Sequence, residues 1–478
     1  MRRSARATCA ALSLLVALAG CTLMPAYRRP AAPVPAHFSL PGAPASASAV
    51  PASPVPAAEL PIREFFTDPQ LQALLQLALQ NNRDLRVAVL NVAQSRAQYR
   101  ITRAASLPTV QGSASFTRQS TSLGAQIPGF PSSESVVTSL WSASVGVSSY
   151  ELDLFGAVRS QTTQALEQYF ATAQAQRAAR VSLVGELATQ YFTLRAAEAQ
   201  LKLAQDTLDS VRSSYELNRA TFAAGASNEL DLRQAEGQVE TAQLAIRTYQ
   251  LQIAQARDAL QLLVGAPLPA AQPAPLPFDE PHMMRAIPAG LPSDLLEQRP
   301  DILQAEHTLK AANADIGVAR AEMFPTISLT SSIGTLGPQL SSLFKAGSGQ
   351  WSFAPQISLP IFTGGRNRAQ LEAARVAERI QVANYEKAIQ SAFREVADAL
   401  AETDNYAQQV GLEAALVVTE QRRLELATLR YQHGEDSYLN ELTAQQDLYS
   451  AQQGLLQARF NRLASQVALY QALGGGWK

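Results

Sequence analysis

The chain has 478 residues, a net charge of −1 from 39 basic and 40 acidic side chains, and two cysteines. No like-charge block points to nucleic acid as a partner, and once a leader containing Cys9 is removed, neither a disulfide nor a cysteine metal site remains available. Beyond the leader, no stretch reaches the roughly 18 uninterrupted apolar residues of a transmembrane helix, so any membrane crossing has to be made by strands.

Residues 1–20 read as a secretory signal peptide, with Arg2, Arg3 and Arg6 as the basic region and Ala10–Ala19 as an apolar core too short to span a bilayer. Leu18-Ala19-Gly20-Cys21 closes it in the manner of a bacterial lipobox, which makes Cys21 the expected lipidation site; the competing reading is a plain leader with a chance cysteine. Residues 21–61 are rich in Pro, Ala and Ser and read as an extended tether. Asp68-Pro69 then has the chemistry of a helix start, and Leu71, Leu74, Leu75, Ala78 and Leu79 form the apolar stripe that follows.

From here the chain makes much the same statement twice, over residues 62–265 and 293–474. The Pro-rich connector 266–292 separates the copies and residues 475–478 form a tail. Asn82-Arg83-Asp84-Leu85 opens a helical stretch that closes at Pro108, and Arg299-Pro300-Asp301-Ile302 opens one of the same length that closes at Pro325. In both copies short alternating strands come next. Val110, Gly112, Ala114 and Phe116 alternate with small polar residues, as do Ile327, Leu329 and Ile333, and the returning strands carry Trp141 and Trp351. Such alternation suits a β-barrel wall with lipid outside and water inside, although an ordinary half-buried hairpin has the same period. A change of phase near Ser148-Ser149 predicts a bulge. Four strands per chain cannot close a barrel, because single-chain barrels begin at about eight, so several chains have to share one.

Helical patterns without proline then run from Ala157 to Phe222 and from Gly365 to Tyr431. At 1.5 Å per residue each gives a rod of roughly 100 Å. Charges such as Arg375, Glu378 and Lys387 exclude a membrane span, and Ala- and Gln-rich faces suit a hollow helical cylinder better than a solid bundle. Each rod ends in an aromatic-x-x-Gly turn, Phe222 to Gly225 and Tyr431 to Gly434, followed by a last helix ending at Gly265 or Gly474. The glycines suit left-handed helix ends, which is sufficient reason for them by itself; Ser227 or Asn228, and Asp436 or Ser437, are placed to cap the next helix. No catalytic or metal-ligand spacing is present: His37, His282, His307 and His433 are scattered, and Glu395 and Asp398 read as a solvated helix face.

In order and spacing these motifs resemble the TolC-like outer membrane efflux channels, in particular the lipoprotein branch that includes the NodT-type proteins. The resemblance rests on Cys21 with Pro25-Ala26-Tyr27, Phe65 to Leu71, Asn82 to Leu85, Leu152 to Gly156, Arg299 to Ile302, Phe362 to Arg366, and Leu473 to Trp477. It implies a mostly helical α+β fold. Three chains would share a 12-stranded transmembrane barrel in the outer membrane, continued into the periplasm by an α-helical barrel. It also implies a passive exit duct for small molecules such as drugs, with no catalysis or cofactor, working with a periplasmic adaptor and an inner-membrane transporter of RND type. The turns would then be periplasmic tips, with Gly225, Ala226, Gly434 and Glu435 as adaptor contacts. Leu230, Asp231, Arg233, Leu439, Glu441 and Thr443 would supply constricting rings, with Leu439 favoured because Thr443 stands where some relatives have an acid. Two other readings remain: a lipid-anchored periplasmic coiled-coil scaffold without a pore, and a type I protein-secretion channel.

Overall fold

The computed structural model describes residues 22–35, 60–122, 135–269, 273–278, 284 and 298–476. The leader, Cys21, most of the tether and connector, and Trp477 lie outside these residues. The chain divides into two compact units, and each unit takes residues from both copies of the repeat. One comprises Met1–Pro30, Ala93–Ala171 and Glu306–Asn384; the other comprises Ala31–Val92, Thr172–Ala305 and Tyr385–Lys478.

The main helices are α1 (Pro69–Asn81), α2 (Arg83–Ala104), α3 (Ala157–Ala223), α4 (Glu229–Val264), α5 (Pro300–Ala321), α6 (Arg366–Gln432) and α7 (Tyr438–Ala472). The duplication is quantitative: α2 and α5 have 22 residues each, and α3 and α6 have 67 each. No described helix is long and apolar enough to cross a membrane.

Four antiparallel strands, β1 (Val110–Ser122), β2 (Ser135–Glu151), β3 (Thr326–Gly337) and β4 (Gly349–Ser358), form one sheet in the order β1-β2-β3-β4. Within the chain β1 and β4 are therefore open edges. The register places like residues opposite one another. Phe116 faces Trp141 with ring centroids 4.4 Å apart, Val145 faces Ile333, and Ile333 faces Trp351. On the other face, serine hydroxyls pair across the strands: Ser113 with Ser144 at 2.9 Å, Ser115 with Ser142 at 2.7 Å and Ser332 with Ser352 at 2.8 Å. The apolar face is bare, with Trp351 78% and Ile333 69% exposed, as expected of a wall whose solvent on that side is lipid. Pro355 is tolerated because β4 is an edge, where a missing N–H costs no ladder bond on the open side. The expected bulge is present. Between the pairs Val147–Ser331 and Tyr150–Leu329, β2 spends one residue more than β3, and Ser149 turns to φ 55°.

In the same unit, residues 23–29 lie along α5. The Arg320 guanidinium donates to the Leu23 carbonyl at 2.9 Å, and the Asn313 amide donates to the Pro25 carbonyl at 2.9 Å. Gly317 lets the arm approach: a Cβ there would stand 3.0 Å from the Met24 Cα. Glu306 anchors the far end, accepting from Arg29 at 2.7 Å and pairing with Lys310 at 3.0 Å. Burial would raise the Glu306 pKa, but these cationic donors overcome it and hold the carboxyl below its ordinary value. The Pro25-Ala26-Tyr27 motif thus has a structural task.

The second unit holds the main apolar core. Leu71, Leu74, Leu75 and Ala78 of α1 are buried against Leu183, Leu187 and Tyr191 of α3, Leu260 of α4 and Val467 of α7. The Phe65 and Tyr470 rings stack at 4.0 Å. Asp68 caps α1 as expected, accepting from the Gln70 and Leu71 amides at 2.8 and 3.1 Å. Its other oxygen takes the Tyr191 hydroxyl and the Leu276 amide, both at 3.0 Å, so the buried carboxylate is fully partnered.

The two copies also share a tie. The Asn82 amide donates to the Leu263 carbonyl at 2.8 Å, two residues before Gly265. Arg299 donates to the Ala472 carbonyl at 2.6 Å, two residues before Gly474. Each copy thereby caps the carbonyl end of its own last helix with the residue that opens its 22-residue helix.

Candidate functional site

The two helical hairpin turns were built alike. The Gly225 N–H donates to the Phe222 carbonyl and the Ala226 N–H to the Thr221 carbonyl, both at 2.9 Å; the Gly434 and Glu435 N–H groups bond Tyr431 and Arg430 in the same way, also at 2.9 Å. Both turns are Schellman motifs, with Gly225 at φ 74° and Gly434 at φ 72°. The starts of the next helices differ. Asn228 caps α4 through the Asp231 N–H at 2.9 Å, and its own amide returns a bond to the Asp231 carboxylate at 3.0 Å. Ser437 occupies the cap position of α7 without a side-chain bond, and Asp436 instead accepts from the Ser437 N–H at 2.9 Å and from the Asn440 amide. These donors hold the Asp436 carboxyl below its ordinary pKa.

The expected tip residues Gly225, Ala226, Gly434 and Glu435 are all exposed. Glu435 faces Arg430 at 3.6 Å. The six constriction candidates separate by helix face. Leu230 and Leu439 project freely, 65% and 53% exposed. Arg233 is exposed, but its charge is matched on its own helix by Glu236 at 2.7 Å and Glu229 at 3.4 Å. Asp231 is half-buried and occupied with the cap, and the half-buried Thr443 hydroxyl returns to the Leu439 carbonyl at 2.8 Å. Glu441 departs from the expectation of a pore-facing residue. It is buried between α6 and α7 and accepts from the Thr428 hydroxyl at 2.9 Å, because on a helix it faces away from Leu439. Burial raises its pKa, and the Thr428 bond offsets only part of the rise.

Sequence reasoning missed the contact that joins the two hairpins of the chain. Asn218 of α3 is fully buried and accepts from the Tyr431 hydroxyl at 3.1 Å, over a small core of Ala235, Tyr438 and Leu442 flanked by Tyr215. Tyr438 beside Glu441 has its pKa pushed up to about 12, mainly by burial. Further along, Arg423 bridges from α6 to Asp447 of α7 at 2.6 Å. The signal for this cluster was the recurrence of Tyr at 215, 431 and 438, which single-helix periodicity does not distinguish from an ordinary core stripe. Among the described residues, no group of His, Cys, Asp and Glu is placed to hold a metal ion.

A sheet with one bare apolar face and two open edges, joined to paired 67-residue helices, defines the subunit of a membrane channel. The family model for outer membrane efflux proteins matches residues 74–266 and 291–475, each span covering one copy of the repeat. The chain belongs to this family. It is 46% identical over 460 residues to the probable efflux pump outer membrane protein TtgC of Pseudomonas putida, spanning 96% of this chain and 93% of that protein. It is 42% identical over 474 residues to the cation efflux system protein CusC of Escherichia coli, spanning 98% and 99%. The open-state MtrE outer membrane channel of Neisseria gonorrhoeae superposes with a TM-score of 0.86 at 39% identity, covering 96% of this chain and 99% of that one.

Proposed function

We propose that the protein is the outer membrane exit duct of a tripartite efflux pump, carrying drug-like small molecules from the periplasm to the exterior without chemical change. The observation that carries this reading is the four-stranded sheet with two open edges and an apolar face bare of protein. A scaffold without a pore has no use for such a sheet. Three chains closing it edge to edge give a barrel of ordinary size. The partners are two further copies of the chain, a periplasmic adaptor and an inner-membrane transporter of RND type. Cys21 carries the lipid anchor, and the arm at residues 23–29 supports this by holding the adjoining backbone against α5. Leu439 and Leu230, repeated by the threefold axis, form the periplasmic constriction, and the exposed turns at Ala226 and Glu435 meet the adaptor.

Deletion of the gene is expected to increase susceptibility to several members of a panel of drugs and dyes, with restoration by the intact gene. An unchanged panel would count against multidrug export. Secretion of a large protein substrate lost in the same strain would favour the type I channel.

A further inference from the structure

The duplicated helices α2 and α5 have the same length, but only α5 holds the N-terminal arm, and it does so at three positions. Asn313, Gly317 and Arg320 meet Pro25, Met24 and Leu23 in turn. The same places in α2 are Arg96, Arg100 and Arg103. These arginines share one helix face. All are exposed, and none makes an ion pair or side-chain hydrogen bond among the described residues. The face ends at Ala104, and β1 of the lipid-facing sheet begins at Val110.

We propose that the Arg96–Arg100–Arg103 face binds the phosphate of an anionic phospholipid of the periplasmic leaflet. Where α5 receives the arm that follows Cys21, α2 presents bare guanidinium groups at the corresponding height beneath the sheet. Guanidinium suits this ligand because its fork of N–H donors matches phosphate oxygens, and it is more weakly hydrated than an ammonium. A row of three cations that repel one another, with no acid paired to them among the described residues, calls for an external anion. Clustered arginine beside a bilayer is the pattern that draws anionic headgroups. The source is a phospholipid rather than a soluble anion because the row adjoins the first residues of the bare sheet. The inference rests on the outer-membrane reading above.

The test is native mass spectrometry of the full-length protein titrated with phosphatidylglycerol or phosphatidylethanolamine, comparing wild type, Arg96→Gln/Arg100→Gln/Arg103→Gln and the corresponding triple lysine variant. Wild type is expected to retain phosphatidylglycerol in preference to phosphatidylethanolamine. The glutamine variant should lose roughly a hundredfold in apparent affinity, about fivefold per arginine, and the lysine variant should keep most of it. Equal retention of phosphatidylglycerol by wild type and the glutamine variant would overturn the proposal, as would equal retention of the two lipids by wild type. So would a glutamine variant that falls from trimer to monomer, since the arginines would then be contacts between copies. The same spectra report the assembly of wild type: monomers there would defeat the trimeric duct, while lipid retention per chain would still judge the arginines.

Discussion

Glu441 and Leu439 stand two residues apart on one helix and have opposite fates, and the difference is chemical as well as geometric. The buried Glu441 carboxyl has a native pKa above its unfolded value, so the folded tip binds the proton more tightly than the unfolded chain does. Tip stability is then greatest below the unfolded value near 4.5 and is lost as pH rises through the native pKa. Glu441→Gln is expected to remove that pH dependence and to strengthen the tip at neutral pH. Amide hydrogen exchange over residues 431–441 at pH 5 and pH 8 would show it, and a variant with the wild-type pH profile would contradict the assignment. Asp436 acts in the opposite sense: its contribution is present above the ordinary carboxylate pKa and disappears as pH falls through its lowered native value. For Leu439, the expected outcome of Leu439→Ala is a higher single-channel conductance in reconstituted trimers. Leu439 could be picked from the sequence as an apolar residue just inside a turn. That Glu441 points inward could not, because its neighbours Thr428 and Tyr431 come from another helix.

At the scale of elements, the equivalent ties are a direct test of the duplication. Asn82→Ala removes a neutral hydrogen bond to a helix end and the side-chain cap that accepts from the Leu85 N–H at 2.7 Å, and should cost about 1–2 kcal/mol. Arg299→Ala removes a buried guanidinium that also serves Asp301 at 2.8 Å and Glu395 at 2.8 Å. These carboxylates are nearly half exposed, so water replaces part of what they lose, and about 2–3 kcal/mol is expected. Urea unfolding of the two variants would rank them, and a larger loss for Asn82→Ala would refute the ordering. The helix lengths, the Asp68 cap, the bulge and the glycine turns were legible because local residue chemistry fixes each of them. The strands were read too short. Arg118-Gln119-Ser120-Thr121-Ser122 shows no alternation, yet it continues the ladder against β2 through Ser135–Ser139, because ladder bonds are made by backbone whatever the side chains.

For the whole molecule, the family could be read from the order of weak motifs, whereas the grouping into compact units could not. Sequence repeats follow the chain, while packing gathers matching pieces of both copies, so Ala93–Ala171 joins Glu306–Asn384. The role of Glu306 was invisible for the same reason, since its partner Arg29 is remote in sequence. Membrane attachment is testable apart from transport: labelled palmitate should enter the wild type and not Cys21→Ser. The left-handed Ser149 at the bulge sets β2 apart from its counterpart β4, in which no residue takes a positive φ. A closed ring of three chains would therefore alternate bulged and smooth sectors. A plug or inhibitor seated at that level would meet a threefold target, and one built with sixfold symmetry would match only every second sector.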